Sequence, residues 1–150
     1  MKTLGVISCT KSKQDYTCAA GEMYQKSTLF RYLWKYCSLK YDNILIVSAK
    51  YGLLIPSQLV SPYEKTLLKM NKVEIVEWSD YIVSQLGNTK FEELYEYEWN
   101  FHLGQKYLKH FPFSALDYYN VSYKPHSFPG GIGTTVGYFK KEVETMEVFK

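Results

Sequence analysis

A lysine four residues after a cysteine, in Cys9-Thr10-Lys11-Ser12-Lys13, is the arrangement in this chain richest in chemistry. It follows the apolar run Leu4-Gly5-Val6-Ile7, so a thiol, hydroxyls and amines gather where a buried strand would leave its sheet. Lys13 stands near Lys11, and a neighbouring cation combined with partial burial disfavours an ammonium. The neutral amine that results is a nucleophile. Cys9 lies between Ser8 and Thr10, where a helix dipole or the nearby lysines would stabilise a thiolate. Plainer roles stand beside these: two solvated surface lysines, and a cysteine serving as a small core residue.

A second run repeats the plan. Ile44-Leu45-Ile46-Val47 leads into Ser48-Ala49-Lys50-Tyr51-Gly52, again an apolar strand, a serine and a lysine. Ligands of open α/β sheets sit outside the carboxyl ends of the strands, so two strands ending alike suggest one shared pocket. Tyr24, Tyr63, Tyr107 and Phe128 are rings able to stack a nucleobase, or equally to pack a core. Gly104-x-x-Tyr107 would bring an aromatic ring back over the sheet end. Gly130-Gly131-Ile132-Gly133-Thr134-Thr135 offers free amides ahead of a helix, either a cradle for phosphate or ribose or a plain turn with a threonine cap. Glu64 and His126 are the loop groups available for proton transfer.

The elements that must hold these groups follow from spacing. After a polar loop over 14–21, Ser27 caps a helix whose Leu29, Phe30, Leu33, Trp34 and Cys37 recur at helical intervals, with Arg31, Lys35 and Lys40 outside the stripe. That helix crosses over to Ile44–Val47 and gives a parallel βαβ unit. Pro56 and Pro62 break the chain into a surface segment folded over the second strand's end. Asn71 and Glu74 stand in capping-box register before Ile75, Val76, Ser79, Ile82, Val83 and Leu86, and Gly87-Asn88 ends that helix. Strict alternation over Leu94–Leu103 predicts a half-exposed strand, and Gln105–Phe111 a short helix before Pro112. The stretch from Phe113 to Pro129 reads as irregular, and a last helix runs through Val136, Phe139, Lys140 and Val143. The expected fold class is α/β: a single-domain, three-layer Rossmann-like fold over residues 1–150 with a mostly parallel sheet.

Composition narrows the classes. With 150 residues, 46% hydrophobic and 22% charged, one domain can bury a core without staples. A net charge of +3 falls short of a dedicated duplex-DNA binder, and 17 of the 18 basic residues are lysine, which leaves Arg31 alone to make bidentate forks. Cys9, Cys18 and Cys37 are odd in number, no signal peptide precedes Val6 and no run is apolar enough to span a membrane, so a reducing cytoplasm is expected. The cysteines and histidines lack ligand spacing; neither a metal nor a cofactor is expected.

Ser8-Cys9-Thr10-x-x-Lys13, Tyr24 and Phe30, Ser48-Ala49-Lys50-Tyr51-Gly52-Leu53, Pro62-Tyr63 with Leu67, Gly104-x-x-Tyr107 and Gly131-Ile132-Gly133 occur in an order that resembles a family of small bacterial and phage domains of unassigned function. That family is similar to the peroxide-stress YaaA proteins and to the lysine-bearing domain of archaeosine synthase. In the latter, a Cys-x-x-x-Lys motif carries a lysine that attaches covalently to a nitrile-bearing deazaguanine base in transfer RNA. Cys9 and Lys13 match this spacing, while Gln14-Asp15 stands where that family has Pro-Tyr. The resemblance implies a pocket for a nucleotide, nucleoside or modified base, and N-glycosidic or other base-directed chemistry of glycosidase or transferase type. Lys13 and Cys9 would be its catalytic groups. Ser8, Thr10, Tyr24, Ser48, Lys50, Tyr51, Gly52, Tyr63, Gly104, Tyr107, Gly131 and Gly133 would bind substrate. Two other classes stay open: a non-catalytic protein, of phage anti-defence type, that sequesters a nucleotide-derived signal, and a nucleic-acid-binding module.

Overall fold

In chain order, the computed structural model, which describes residues 1–148, has strands β1 (Thr3–Ser8) and β2 (Cys18–Ala19), helices α1 (Ala20–Met23) and α2 (Thr28–Lys40), and strands β3 (Asn43–Ser48), β4 (Gly52–Leu54) and β5 (Leu59–Val60). Helix α3 (Lys72–Leu86), strand β6 (Glu98–His102), helices α4 (Gln105–His110) and α5 (Phe113–Tyr118), strand β7 (Tyr123–His126) and helix α6 (Ile132–Val148) complete it, with 3-10 turns at Leu67–Lys69 and Thr89–Glu96. Five strands form one sheet in the order β4-β3-β1-β6-β7, parallel except for β4; β2 and β5 form a separate antiparallel pair. The result is a single Rossmann-like α/β domain, as the spacing of the apolar runs predicts.

β1 is continuously apolar because it lies at the centre of the sheet with both faces covered. Its Val6 pairs with Leu45 on one side and Phe101 on the other, and all three are buried. On one face α2 and α6 meet the strands: Tyr36 and Phe139 both pack edge-on against His102, and Gly5 lies directly under Cys37 and Tyr41. On the other face Phe101 meets Phe111 and Phe113, at 4.8 and 4.9 Å between ring centroids. These layers leave the carboxyl ends of β1, β3, β6 and β7 on one rim.

Local signals set the helix ends. Ser27 Oγ accepts from the Phe30 amide, and Asn71 and Glu74 form the reciprocal capping box before α3. The apolar side of α3 differs from the expected one. Ile75, Trp78, Ile82 and Leu86 are buried, whereas Val76 and Val83 face solvent, because the indole of Trp78 anchors the helix on the β3 end.

Three further expectations are corrected. The strand predicted over Leu94–Leu103 is limited to Glu98–His102, and it is buried rather than half-exposed, since β1 and β7 flank it and helices cover its faces. Its polar positions are internal: Asn100 and His102 are 4% and 5% exposed and find partners in His126 and Tyr41. The stretch 113–129 is not irregular, for it contains α5 and the edge strand β7, where Lys124 and Pro125 obscure the β pattern. The polar loop over 14–21 contains β2 and the start of α1, and Gly52 to Leu54 turns back as an antiparallel edge. Gly52 has φ of 64°, the left-handed region, and the Gln85 amide packs where a Cβ would project.

Two measurements follow. A Cβ at position 5 would lie 2.6 Å from Tyr41 Cδ2 and 2.8 Å from Cys37 Sγ, so Gly5→Ala should cost about 1–3 kcal/mol in denaturant unfolding. Burial, then the neighbouring His126 and Lys40, hold the His102 pKa down to about 3 from 6.5. Between these values the unfolded chain binds the proton and the folded chain does not, so stability falls as pH drops below 6.5, by about 2 kcal/mol near pH ~5. Stability curves against pH should therefore be shallower over that range for His102→Gln than for wild type.

Candidate functional site

The chain runs from β1 outward through β3 to β4, then crosses to β6 on the other side of β1. The crevice between the carboxyl ends of β1 and β6 is thus the topological switch point, where ligands of such sheets bind. Cys9, just after β1, and Tyr107, on the helix that follows β6, meet at this point, with Sγ and the phenol oxygen 3.4 Å apart. Cys9 is also tied to the neighbouring strand: its amide donates to the Val47 carbonyl, and its sulfur accepts from the Ala49 amide at 3.4 Å. The ends of β1 and β3 are therefore laced together, and the two strand-end motifs open onto one rim.

Ser48 is the junction of this rim. Its Oγ accepts from the backbone amides of Lys50 (3.1 Å) and Tyr51 (3.0 Å), which fixes the turn after β3. The Tyr63 hydroxyl lies 2.7 Å from that Oγ and 2.7 Å from the Tyr24 hydroxyl, giving a continuous chain of hydroxyls. Trp78, which the spacing along α3 does not single out for function, donates its indole N–H to the Ser48 carbonyl at 2.9 Å and packs edge-on against Tyr107. A tryptophan on the buried stripe of a helix looks like core until its N–H is given a partner, and only the structure provides that.

Lys13 reaches back over this hydroxyl chain. Its Nζ sits 4.6 Å from the centre of the Tyr63 ring and donates to the Lys11 carbonyl at 3.2 Å. Lys50 approaches the same ring at 6.0 Å and the Tyr51 ring at 5.2 Å. Partial burial pulls the Lys13 pKa below the ordinary lysine value, against the opposing influence of Cys9 and Glu64. Burial raises the Tyr63, Tyr24 and Tyr107 phenols above theirs, so all three remain neutral hydrogen-bonding groups at physiological pH. Lys13 forms no salt bridge among the described residues.

The remaining sequence candidates divide by location. Tyr24 is fully buried and leans on Phe30, so its ring supports Tyr63 from below and presents no face to a ligand. Tyr51 stands edge-on to Tyr63, and Gln85 grips the backbone around Gly52 through the Tyr51 carbonyl and the Leu53 amide. Ser8 is buried at the end of β1, and the Thr10 hydroxyl donates to the Ser12 carbonyl, shaping the turn that carries Lys13. Gly104 caps α4 beside Phe128. Gly131 and Gly133 are exposed at the start of α6, on the same rim but after β7, and none of the hydrogen bonds or ring contacts among the described residues joins them to Lys13. There the hydroxyl of Thr135, inside α6, donates to the Gly130 carbonyl at 3.2 Å. His126 stacks on His102 at 4.6 Å on the α2 and α6 face, and none of the hydrogen bonds or ring contacts among the described residues joins it to Lys13.

A family model described as "Family of unknown function (DUF6884)" matches residues 4–140. The chain belongs to that family. No curated protein and no solved structure matches it. In this DUF6884 member the matched span takes in the motifs after β1, β3 and β6 and ends within α6. Among the described residues no group of three or more histidine, cysteine, aspartate or glutamate side chains gathers to hold a metal ion, and no helix is long and apolar enough to cross a membrane.

Because burial disfavours the Lys13 ammonium, a larger share of that amine is neutral at a given pH than of an exposed lysine. Limited acylation followed by peptide mass spectrometry should show Lys13 reacting ahead of Lys11 and Lys50, with the advantage widening as pH falls from alkaline to neutral.

Proposed function

We propose that this protein acts on a nucleoside, nucleotide or modified nucleobase, with Lys13 as the reacting group and the switch-point crevice as the place of binding. One observation carries the proposal: an amine with a lowered pKa, in no salt bridge among the described residues, is held on the Tyr63 ring beside the hydroxyls and thiol that end two parallel strands. Neutral phenols and hydroxyls around an amine whose charged form burial disfavours suit an uncharged heterocycle or sugar. The Cys9 and Lys13 spacing, which matches the archaeosine synthase motif, and the motif order, which resembles a family similar to the YaaA proteins, point the same way. The three buried, free cysteines support a reducing, cytoplasmic setting.

The chemistry such an amine can perform on a nucleoside is displacement at the anomeric carbon. The Lys13 nitrogen forms a bond to that carbon, the glycosidic C–N bond breaks, and its electron pair leaves with the base, which takes up a proton. The nitrogen lone pair then forms a C=N bond as the ring C–O bond breaks, the ring oxygen takes up the remaining amine proton, and water hydrolyses the imine to free sugar and lysine. Tyr63, pinned by Ser48 and Tyr24, keeps the amine aimed at the crevice, and Cys9 with Tyr107 supplies polar hydrogens there.

Incubation with pools of nucleosides, nucleotides and modified bases should release product, and Lys13→Ala should lower the rate by at least about a hundredfold. Borohydride added during turnover should reduce the imine and leave a sugar-sized mass on the Lys13 peptide. Equal rates for wild type and Lys13→Ala would refute the assignment. A second reading, capture of a nucleotide-derived ligand without turnover, is favoured by one observation: among the described residues no acid or histidine side chain hydrogen-bonds Lys13 or Cys9. Ligand bound tightly and recovered unchanged after denaturation would select that reading.

A further inference from the structure

Behind Ala49 and Lys50 lies an open cleft of about 230 Å³ that the chemistry above does not use. Its walls carry Lys50 and Lys65 on the loop side and Glu74, Glu77, Trp78 and Tyr81 along α3. We propose that this cleft binds a small zwitterion, a free α-amino acid, with its carboxylate toward the two lysines and its ammonium toward the glutamates.

The charges are arranged for such a ligand. Glu74 and Glu77 are three residues apart on one helix and so share a face, while both lysines come from outside that helix. Among the described residues Lys50, Lys65 and Glu77 take part in no salt bridge, so residues of opposite charge line the same space without neutralising one another. Glu74 uses one oxygen to accept the Asn71 amide, which fixes it at the mouth and leaves the other free. A phosphate or a nucleic-acid backbone would satisfy the lysines and be repelled by the glutamates, and a simple amine would meet the reverse. A peptide terminus brings only one of the two charges. The volume is below the range of about 300–1,000 Å³ usual for drug-sized ligands, which fits a molecule of amino-acid size.

The floor is rigid. Trp78 is 5% exposed, with its indole N–H donated to the Ser48 carbonyl and its ring against Tyr107, so it is held in one position. Tyr81 is half-exposed beside it and gives an apolar wall for the ligand's side chain. The same indole reports on occupancy, because its N–H is a resolvable signal in nitrogen-15 NMR.

Free amino acids, their N-acetyl derivatives, their methyl esters and inorganic phosphate should be titrated into labelled full-length protein. The expected result is that at least one free amino acid shifts the Trp78 indole signal, and that acetylating its amine or esterifying its carboxylate weakens binding by about tenfold. Lys65→Gln should weaken the free amino acid but not its methyl ester, and Glu77→Gln the free amino acid but not its N-acetyl form. Lys13→Ala should bind normally, which separates this site from the reacting lysine. The proposal is overturned if no amino acid moves the Trp78 signal, if the blocked forms bind as well as the free one, or if phosphate binds in preference.

Discussion

Ser48 is the point through which three separate parts of the chain are held in register. Its side chain closes the turn after β3 by accepting two backbone amides, and its carbonyl takes the Trp78 indole from α3. Its hydroxyl also meets Tyr63 from the proline-broken segment. A buried residue with that many commitments cannot be exchanged for an apolar one without leaving donors unpaired, each costing about 1–3 kcal/mol. With Cys9 bridging β1 to the same turn, the rim behaves as one unit: moving Ser48 would move the ring under Lys13 and the floor of the zwitterion cleft together.

The electrostatics of the rim follow from that packing. The phenols nearest Lys13 are buried and stay neutral, so they do not draw its amine back to the ammonium, and the pull of Cys9 and Glu64 toward the ammonium is outweighed by burial. On the far face of the sheet the same physics acts on His102, kept neutral by burial beside His126 and hydrogen-bonded to Tyr41 at 2.7 Å. The two faces therefore have different tasks, with unpaired amines at the rim and a neutral histidine pair inside a hydrophobic layer.

Much of this was legible in the residues. β1 and β3 stood out because a parallel strand buried on both faces is a short unbroken apolar run, and Ser27 and the Asn71 and Glu74 pair marked helix starts by direct side-chain bonds. β6 misled because alternation usually signals one wet face, yet its Asn100 and His102 face inward and find partners that lie far off in sequence. β7 was hidden by Lys124 and Pro125, residues an interior strand would not tolerate and an edge strand can. At the site, the shared rim of Lys13 and Ser48 could be reasoned from strand ends. The hydroxyl chain could not, since it depends on how the segment around Pro62 folds back, and nothing in the spacing fixes that.

The border formed by β7 has an effect of its own. An unprotected outer strand is a template on which another chain can lengthen the sheet. Here the four-residue run is short, places an ammonium group along that margin, and at Pro125 has no N–H to offer a newcomer. On the opposite border, β4 is only three residues long and is gripped by Gln85. Copies of this protein crowded together are thereby discouraged from zipping into extended ribbons, and the molecule gains that resistance from two blunt margins rather than from any additional covering layer.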